Sequence, residues 1–173
     1  MARKKTSSSS WKTQLALKLK PTAEPLNQRV AILGIGNELN GDDSAGLWVV
    51  RKLRERLRDK PNLLLLDCGS VPENATGPLR TFKPDKVLMV DAADLEEEPG
   101  TIQLIDLEDV RGFSASSHSL PISVLAGFIQ TEFNCEVTLC CIQPQSLEFD
   151  RGLSPIVEKA VERLTEVIFQ VLF

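Results

Sequence analysis

The chain is poor in the residues that many site chemistries lean on. Histidine occurs once, as His118, so any imidazole chemistry has to run through that one position. Cysteine occurs four times, as Cys68, Cys135, Cys140 and Cys141, and no two of them stand in a C-x-x-C spacing. Cys140 and Cys141 are vicinal within an apolar run, where cysteine behaves as a small hydrophobe. Neither a zinc knuckle nor a disulfide framework is indicated. Positive charge is not in excess: the net charge is −4, which gives a nucleic-acid partner no electrostatic support. No apolar run approaches the roughly 20 residues that a bilayer span requires. The N-terminus is charged at Arg3, Lys4 and Lys5, then serine-rich, and has no hydrophobic signal core. A cytoplasmic protein without membrane insertion is the expectation.

What is present suits one globular domain. The 173 residues carry 42% hydrophobic and 25% charged side chains, an ordinary soluble composition. Residues 1–28 read as an N-terminal extension, disordered over its serine tract, with a short helix over 11–20 that sets Trp11, Leu15 and Leu19 along one side. That helix is expected to dock on the domain or to bind a partner. From residue 29 apolar runs alternate with amphipathic ones. Strands are expected over 29–33, 62–66, 86–90, 102–105 and 136–142. Helices are expected over 42–58, within 72–79, after Ser114–Ser117, and over 155–171 with Ser154 as N-cap. Residues 29–173 should therefore form a single α/β domain, a three-layer α/β/α fold with a mixed, mostly parallel sheet of about five strands. The Pro99-Gly100 connection after the third strand is too short for a crossover helix, so one edge should be antiparallel.

Around residues 31–47, AILGIGNELNGDDSAGL, a strand, a Gly-rich turn and a helix follow one another. This delivers Asp42 and Asp43 to the C-terminal strand edge, where open α/β sheets build their sites. Asp91 ends the third strand, and His118 precedes a helix. Two carboxylates and an imidazole suit a borderline divalent metal such as nickel or zinc, or general-base work on a bound water. Taken singly, each has a structural alternative: Asp42 or Asp43 capping the first helix, Asp91 closing a turn, His118 satisfied in the core or at the surface. The Gly34-Ile35-Gly36 turn is a poor dinucleotide cradle, because the third glycine of G-x-G-x-x-G falls on Leu39 and acids follow. It is better explained as the turn by which the chain leaves its first strand. The G-x-G-N opening also resembles peptidyl-tRNA hydrolase, but the paired histidine and basic surface of that enzyme are missing.

Six motifs in order carry a more specific resemblance: GIGNELNGDDSAG (34–46), DCGSVPEN (67–74), VDAAD (90–94), PGTI (99–102), SSHSLP (116–121) and IQP (142–144). Over residues 29–164 the sequence resembles the hydrogenase maturation proteases. These endopeptidases trim the C-terminal extension from the large subunit of nickel–iron hydrogenases. The DCGSVPEN and VDAAD forms are closest to the branch serving formate-hydrogenlyase-type hydrogenases. The resemblance implies that Asp43, Asp91 and His118 contact nickel, with Asp43 or Asp91 as base. It implies that the nickel arrives with the large-subunit precursor and that the protease holds no metal at rest. Many members carry glutamate at the position of Asp43, and the family's D-G-G-S/T turn has Cys68 in its second place here. A non-catalytic nickel-dependent checkpoint or chaperone binding the same precursor is the alternative, and a small-molecule hydrolase is a more distant one. A protease for a folded subunit needs an open cleft, here expected between loops 67–80 and 143–153, with Asn37, Pro72, Glu73, Asn74, Gln143 and Pro144 on its rim. Asp42 is expected to cap a helix or to support Asp43.

Overall fold

The computed structural model describes residues 10–20, 28–57, 60–107 and 121–173. In chain order these form α1 (Trp11–Leu19), β1 (Val30–Gly34), a 3-10 turn (Gly41–Ser44), α2 (Ala45–Arg56), β2 (Leu63–Asp67) and a second 3-10 turn (Pro72–Ala75). They continue with α3 (Thr76–Phe82), β3 (Lys86–Ala92), β4 (Ile102–Ile105), α4 (Ile122–Phe133), β5 (Glu136–Ile142) and α5 (Pro155–Leu172). The five strands make one sheet in the order β2-β1-β3-β5-β4. Neighbours are parallel except β4, which lies antiparallel against β5 at the edge. The antiparallel edge expected from Pro99-Gly100 is therefore present, but β4 passes over to pair with β5 and not with its sequence neighbour β3.

Alternation along the strands sorts side chains to the two faces. Val30 and Ile32 of β1, Leu88 and Val90 of β3, and Cys140 and Ile142 of β5 join α1, α2 and α5 in one core. Ala31 and Leu33, Val87 and Met89, and Leu139 and Cys141 join α3 and α4 in the other. Both faces being covered, β1, β3 and β5 read as near-continuous apolar runs. The architecture is thus the α/β/α sandwich with a mixed sheet that the patterning implies.

Helix boundaries follow local chemistry. The helix expected over 42–58 is two pieces, the 3-10 turn and then α2, because the turn must first carry the chain off the sheet edge; α2 ends as Leu57 turns extended. Arg58 lies outside the described residues. Helix α3 ends at Lys83 and α4 at Asn134, each in the left-handed region that closes many helices. Helix α5 begins with Pro155 in its first turn, where a missing N–H costs nothing. Helix α1 packs on the sheet through buried Leu15 and Leu19, with Trp11 at the margin. Among the described residues no helix is long and apolar enough to cross a membrane.

Candidate active site

The site region begins where β1 meets α2, and glycine decides how closely they approach. A Cβ on Gly46 would lie 2.2 Å from the Val90 carbonyl oxygen and 2.5 Å from that of Ile35, and one on Gly34 would lie 2.3 Å from the Gly46 oxygen. Only hydrogen fits at these positions, so α2 starts pressed against β1 and β3. Gly36 has φ +147°, and a Cβ there would meet the Asp43 carbonyl, so the turn folds Asp43 back over the end of β1. The two glycines of the opening motif therefore serve backbone packing, as the sequence reading has it, and no ligand cradle is needed to explain them.

Asp43 is 6% exposed, and its Oδ2 accepts the Asn37 backbone N–H at 2.9 Å. Asp91 is 4% exposed, and its Oδ1 accepts the Ala92 N–H at 2.9 Å. Strand β3 runs one residue past Asp91, which pairs with Cys141 in β5; Asp91 is thus inside the strand and does not close a turn after it. By alternation it shares the α3/α4 face with Val87 and Met89. The Ile35 N–H donates to the Val90 oxygen at 2.9 Å, so the residue before Asp91 is tied to the first residue beyond β1. Asp43 and Asp91 thus come to one C-terminal sheet edge, the former from the turn and the latter from the strand. His118 and Ser114–Ser117 lie outside the described residues. Among the described residues no three acid, thiol or imidazole groups gather as a metal-binding set.

Neither acid of the pair caps α2: Ser44 holds that position. Asp42 has a different task. Fully buried, its carboxylate accepts the Gln145 N–H at 2.8 Å, the Ser146 N–H at 2.9 Å, the Ser154 N–H at 2.6 Å and the Ser154 hydroxyl at 2.8 Å. Its own N–H donates to the Ser146 oxygen at 3.0 Å. Ser154 does stand at the N-cap of α5, yet its hydroxyl turns to Asp42 and makes no capping bond. The carboxylate supplies the negative charge that a helix N-terminus favours. Pattern reading missed this role, because its partners lie more than a hundred residues away in sequence.

The turn after β2 tolerates Cys68 without strain. The positive φ falls on Gly69, at +56°, and Cys68 is not among the left-handed residues. The Gly36 N–H donates to the Gly69 oxygen at 3.0 Å and the Cys68 N–H to the Gly34 oxygen at 2.9 Å, so this turn sits beside the Asp43 turn. Arg51 of α2 clamps the two together: its Nε donates to Asp67 Oδ2 at 2.9 Å and its Nη1 to Glu38 Oε1 at 2.7 Å. The hydrogen bond from Arg51 holds the Glu38 carboxyl below its ordinary range.

Two expected rim residues are interior. Gln143 is buried; its Oε1 accepts the Leu95 N–H at 2.6 Å and its Nε2 donates to Asp94 Oδ1 at 3.4 Å. It braces the loop after β3. Pro72 is buried as well, whereas Asn74 is exposed and Asn37, Glu73 and Pro144 are half-buried. The sulfurs are poor nucleophiles. Burial pushes the thiols of Cys68 and Cys140 up to about 12 and that of Cys135 to about 11. Cys141 is also driven up, by burial and then by the Asp91 charge. A thiolate is the reactive form, so near neutrality these buried cysteines stay as thiols. A groove of about 530 Å³ between α1, α2 and α5 includes Lys52, Arg56, Glu162 and Glu166 in its lining. These pair as Lys52–Glu162 and Arg56–Glu166. It contains neither Asp43 nor Asp91 and is a solvated charged face.

The hydrogenase maturation protease family model matches residues 47–171. The hydrogenase 3 maturation protease of Escherichia coli K12 is 33% identical over 76% of this chain and 83% of its own length. The crystal structure of the NiFe hydrogenase maturation protease HycI from Thermococcus kodakarensis KOD1 superposes with a TM-score of 0.77 at 34% identity, covering 84% of this chain and 92% of that one. The crystal structure of the hydrogenase 3 maturation protease follows at 0.72 and 30%, over 82% and 90%. With the strand-edge acids placed as described and thiol chemistry set aside, this chain belongs to the hydrogenase maturation proteases and is a peptidase.

Proposed function

We propose that the protein is the cytoplasmic endopeptidase that removes the C-terminal extension from a nickel-loaded large-subunit precursor of a nickel–iron hydrogenase. The observation that carries this reading is the pair of buried acids, Asp43 and Asp91, at one sheet edge of a chain with this family membership. Nickel belongs to the substrate. Asp43, Asp91 and His118 complete its coordination, so a precursor without the metal lacks part of the binding energy and is passed over. Carboxylate and imidazole donors are the ligand types such a borderline cation takes.

Water is the nucleophile. Asp43 or Asp91 takes a proton from it as its oxygen attacks the peptide carbonyl, and the proton goes to the leaving amine as the C–N bond breaks. The Asn37 N–H steadies the Asp43 carboxylate for this work. Both carboxylates sit on rigid backbone, one in the glycine-packed turn and one within a central strand, so they are held in place before substrate arrives.

In vitro processing of the nickel-loaded precursor tests the assignment. Asp43→Asn, Asp91→Asn and His118→Ala are each expected to lower the cleavage rate about a hundredfold or more, on the scale of general-base and positioning effects. Wild-type rates in all three would overturn it. A wild-type protein that binds the loaded precursor and releases no peptide by mass spectrometry would establish the checkpoint role in place of the protease.

A further inference from the structure

Two loops beside Asp43 hold apolar side chains out in solvent on a backbone that is firmly tied down. Leu39 is 52% exposed, Leu147 56% and Phe149 71%. Exposed apolar residues on a mobile loop would mean little, but these two loops are joined to each other at several points. The Asp150 N–H donates to the Leu39 oxygen at 2.8 Å, and Asn40 bridges Arg151. A Cβ on Gly41 would sit 2.8 Å from the Ser146 oxygen and 3.3 Å from that of Glu148. Asp150 takes φ +57°, a left-handed conformation that costs most side chains. Beneath them lies the buried Asp42 carboxylate with its four hydrogen bonds. The loops form one hydrogen-bonded ledge that carries three exposed apolar side chains, and Leu39 stands four residues before Asp43. Exposed apolar side chains held next to a site are the kind of surface that partners use.

We propose that the Leu39, Leu147 and Phe149 ledge receives an apolar segment of the protein substrate next to the bond to be cut. The inference rests on the protease reading of the same site. The occupant follows from position: a peptide bond that reaches Asp43 brings its flanking residues over Leu39 and the loop paired with it. A second copy of this chain seated on the ledge would bar that approach.

The test is the kinetics of nickel-loaded precursor cleavage by the full chain. The variants are Leu39→Ser/Phe149→Ser, Leu147→Ser, Phe149→Leu and the remote control Leu17→Ser, an equally exposed leucine on α1. The double variant is expected to raise KM at least about tenfold, the scale of a buried interface anchor, with kcat within twofold of wild type. Phe149→Leu should restore much of the loss, and Leu17→Ser should match wild type. Thermal melting within a few degrees of wild type separates this from misfolding, since all three side chains are exposed. An unchanged KM in the double variant overturns the ledge, as does a fall in kcat alone. Loss of a wild-type dimer in sedimentation with KM unaltered also overturns it, in favour of a second copy. Failure of the wild-type chain to cut any loaded precursor removes the protease reading, and the ledge falls with it.

Discussion

At the scale of single residues, adjacent acids have separate duties. Asp43 faces the sheet edge, whereas Asp42 is a buried anion satisfied by backbone and hydroxyl donors from a distant loop. Replacing Asp42 by Asn swaps one acceptor oxygen for an NH2 that meets donors. Asp42→Asn is expected to lower the unfolding free energy by about 3 kcal/mol, the scale of buried hydrogen bonds to a charge. Ser154→Ala, which removes one of the four bonds, should cost about 1 kcal/mol. Urea denaturation measures both, and equal stability of Asp42→Asn and wild type would contradict the anchoring role. The sequence showed that acids stood here; their division of labour was hidden because the partners of Asp42 are remote in sequence. Cys68 shows the converse. A Cβ in the second place of the D-C-G-S turn is costly only at positive φ, and the backbone gives the left-handed conformation to Gly69 instead.

At the scale of elements, the approach of α2 to β1 and β3 is set by Gly34 and Gly46. Gly46→Ala would drive a methyl into the carbonyls of Val90 and Ile35, where backbone on both sides must move. We expect a loss of about 3 kcal/mol, toward the upper end of overpacking costs, and a weaker precursor cleavage because Asp43 and Asp91 shift with the elements. Gly127→Ala in α4 is the contrasting case: nothing lies within 4 Å of its Cβ, and removing a helical glycine should stabilise by about 0.5–1 kcal/mol. Differential scanning calorimetry of the pair checks the sign of each. Strands and helices were legible because burial on both faces imposes long apolar runs and 3.6-residue periodicity. The partner of β4 was not, since a short connection limits its direction without naming its neighbour.

At the scale of the whole molecule, the N-terminal helix is part of the fold. Leu15 and Leu19 are buried in the core, worth about 1.5–3 kcal/mol each. The Lys86 ammonium, itself buried at the start of β3, donates to the Lys18 and Lys20 oxygens at 2.7 Å each. It thereby closes the C-terminal end of α1, where cations are favoured. Lys86→Met leaves those carbonyls without their donor, and amide exchange in α1 is expected to quicken at least about tenfold, read by mass spectrometry. Unchanged protection would show that the two leucines hold the helix alone.

The sequence by itself determined the layered α/β architecture, the family and the acids of the candidate site, because apolar periodicity and short motifs are written locally along the chain. The tertiary structure alone decided which acid anchors a loop, that Gln143 and Pro72 turn inward, and that the loop of Leu39 is tied to the loop carrying Leu147 and Phe149. Those outcomes depend on residues brought together from distant parts of the chain, where backbone donors must be satisfied and space divided in three dimensions.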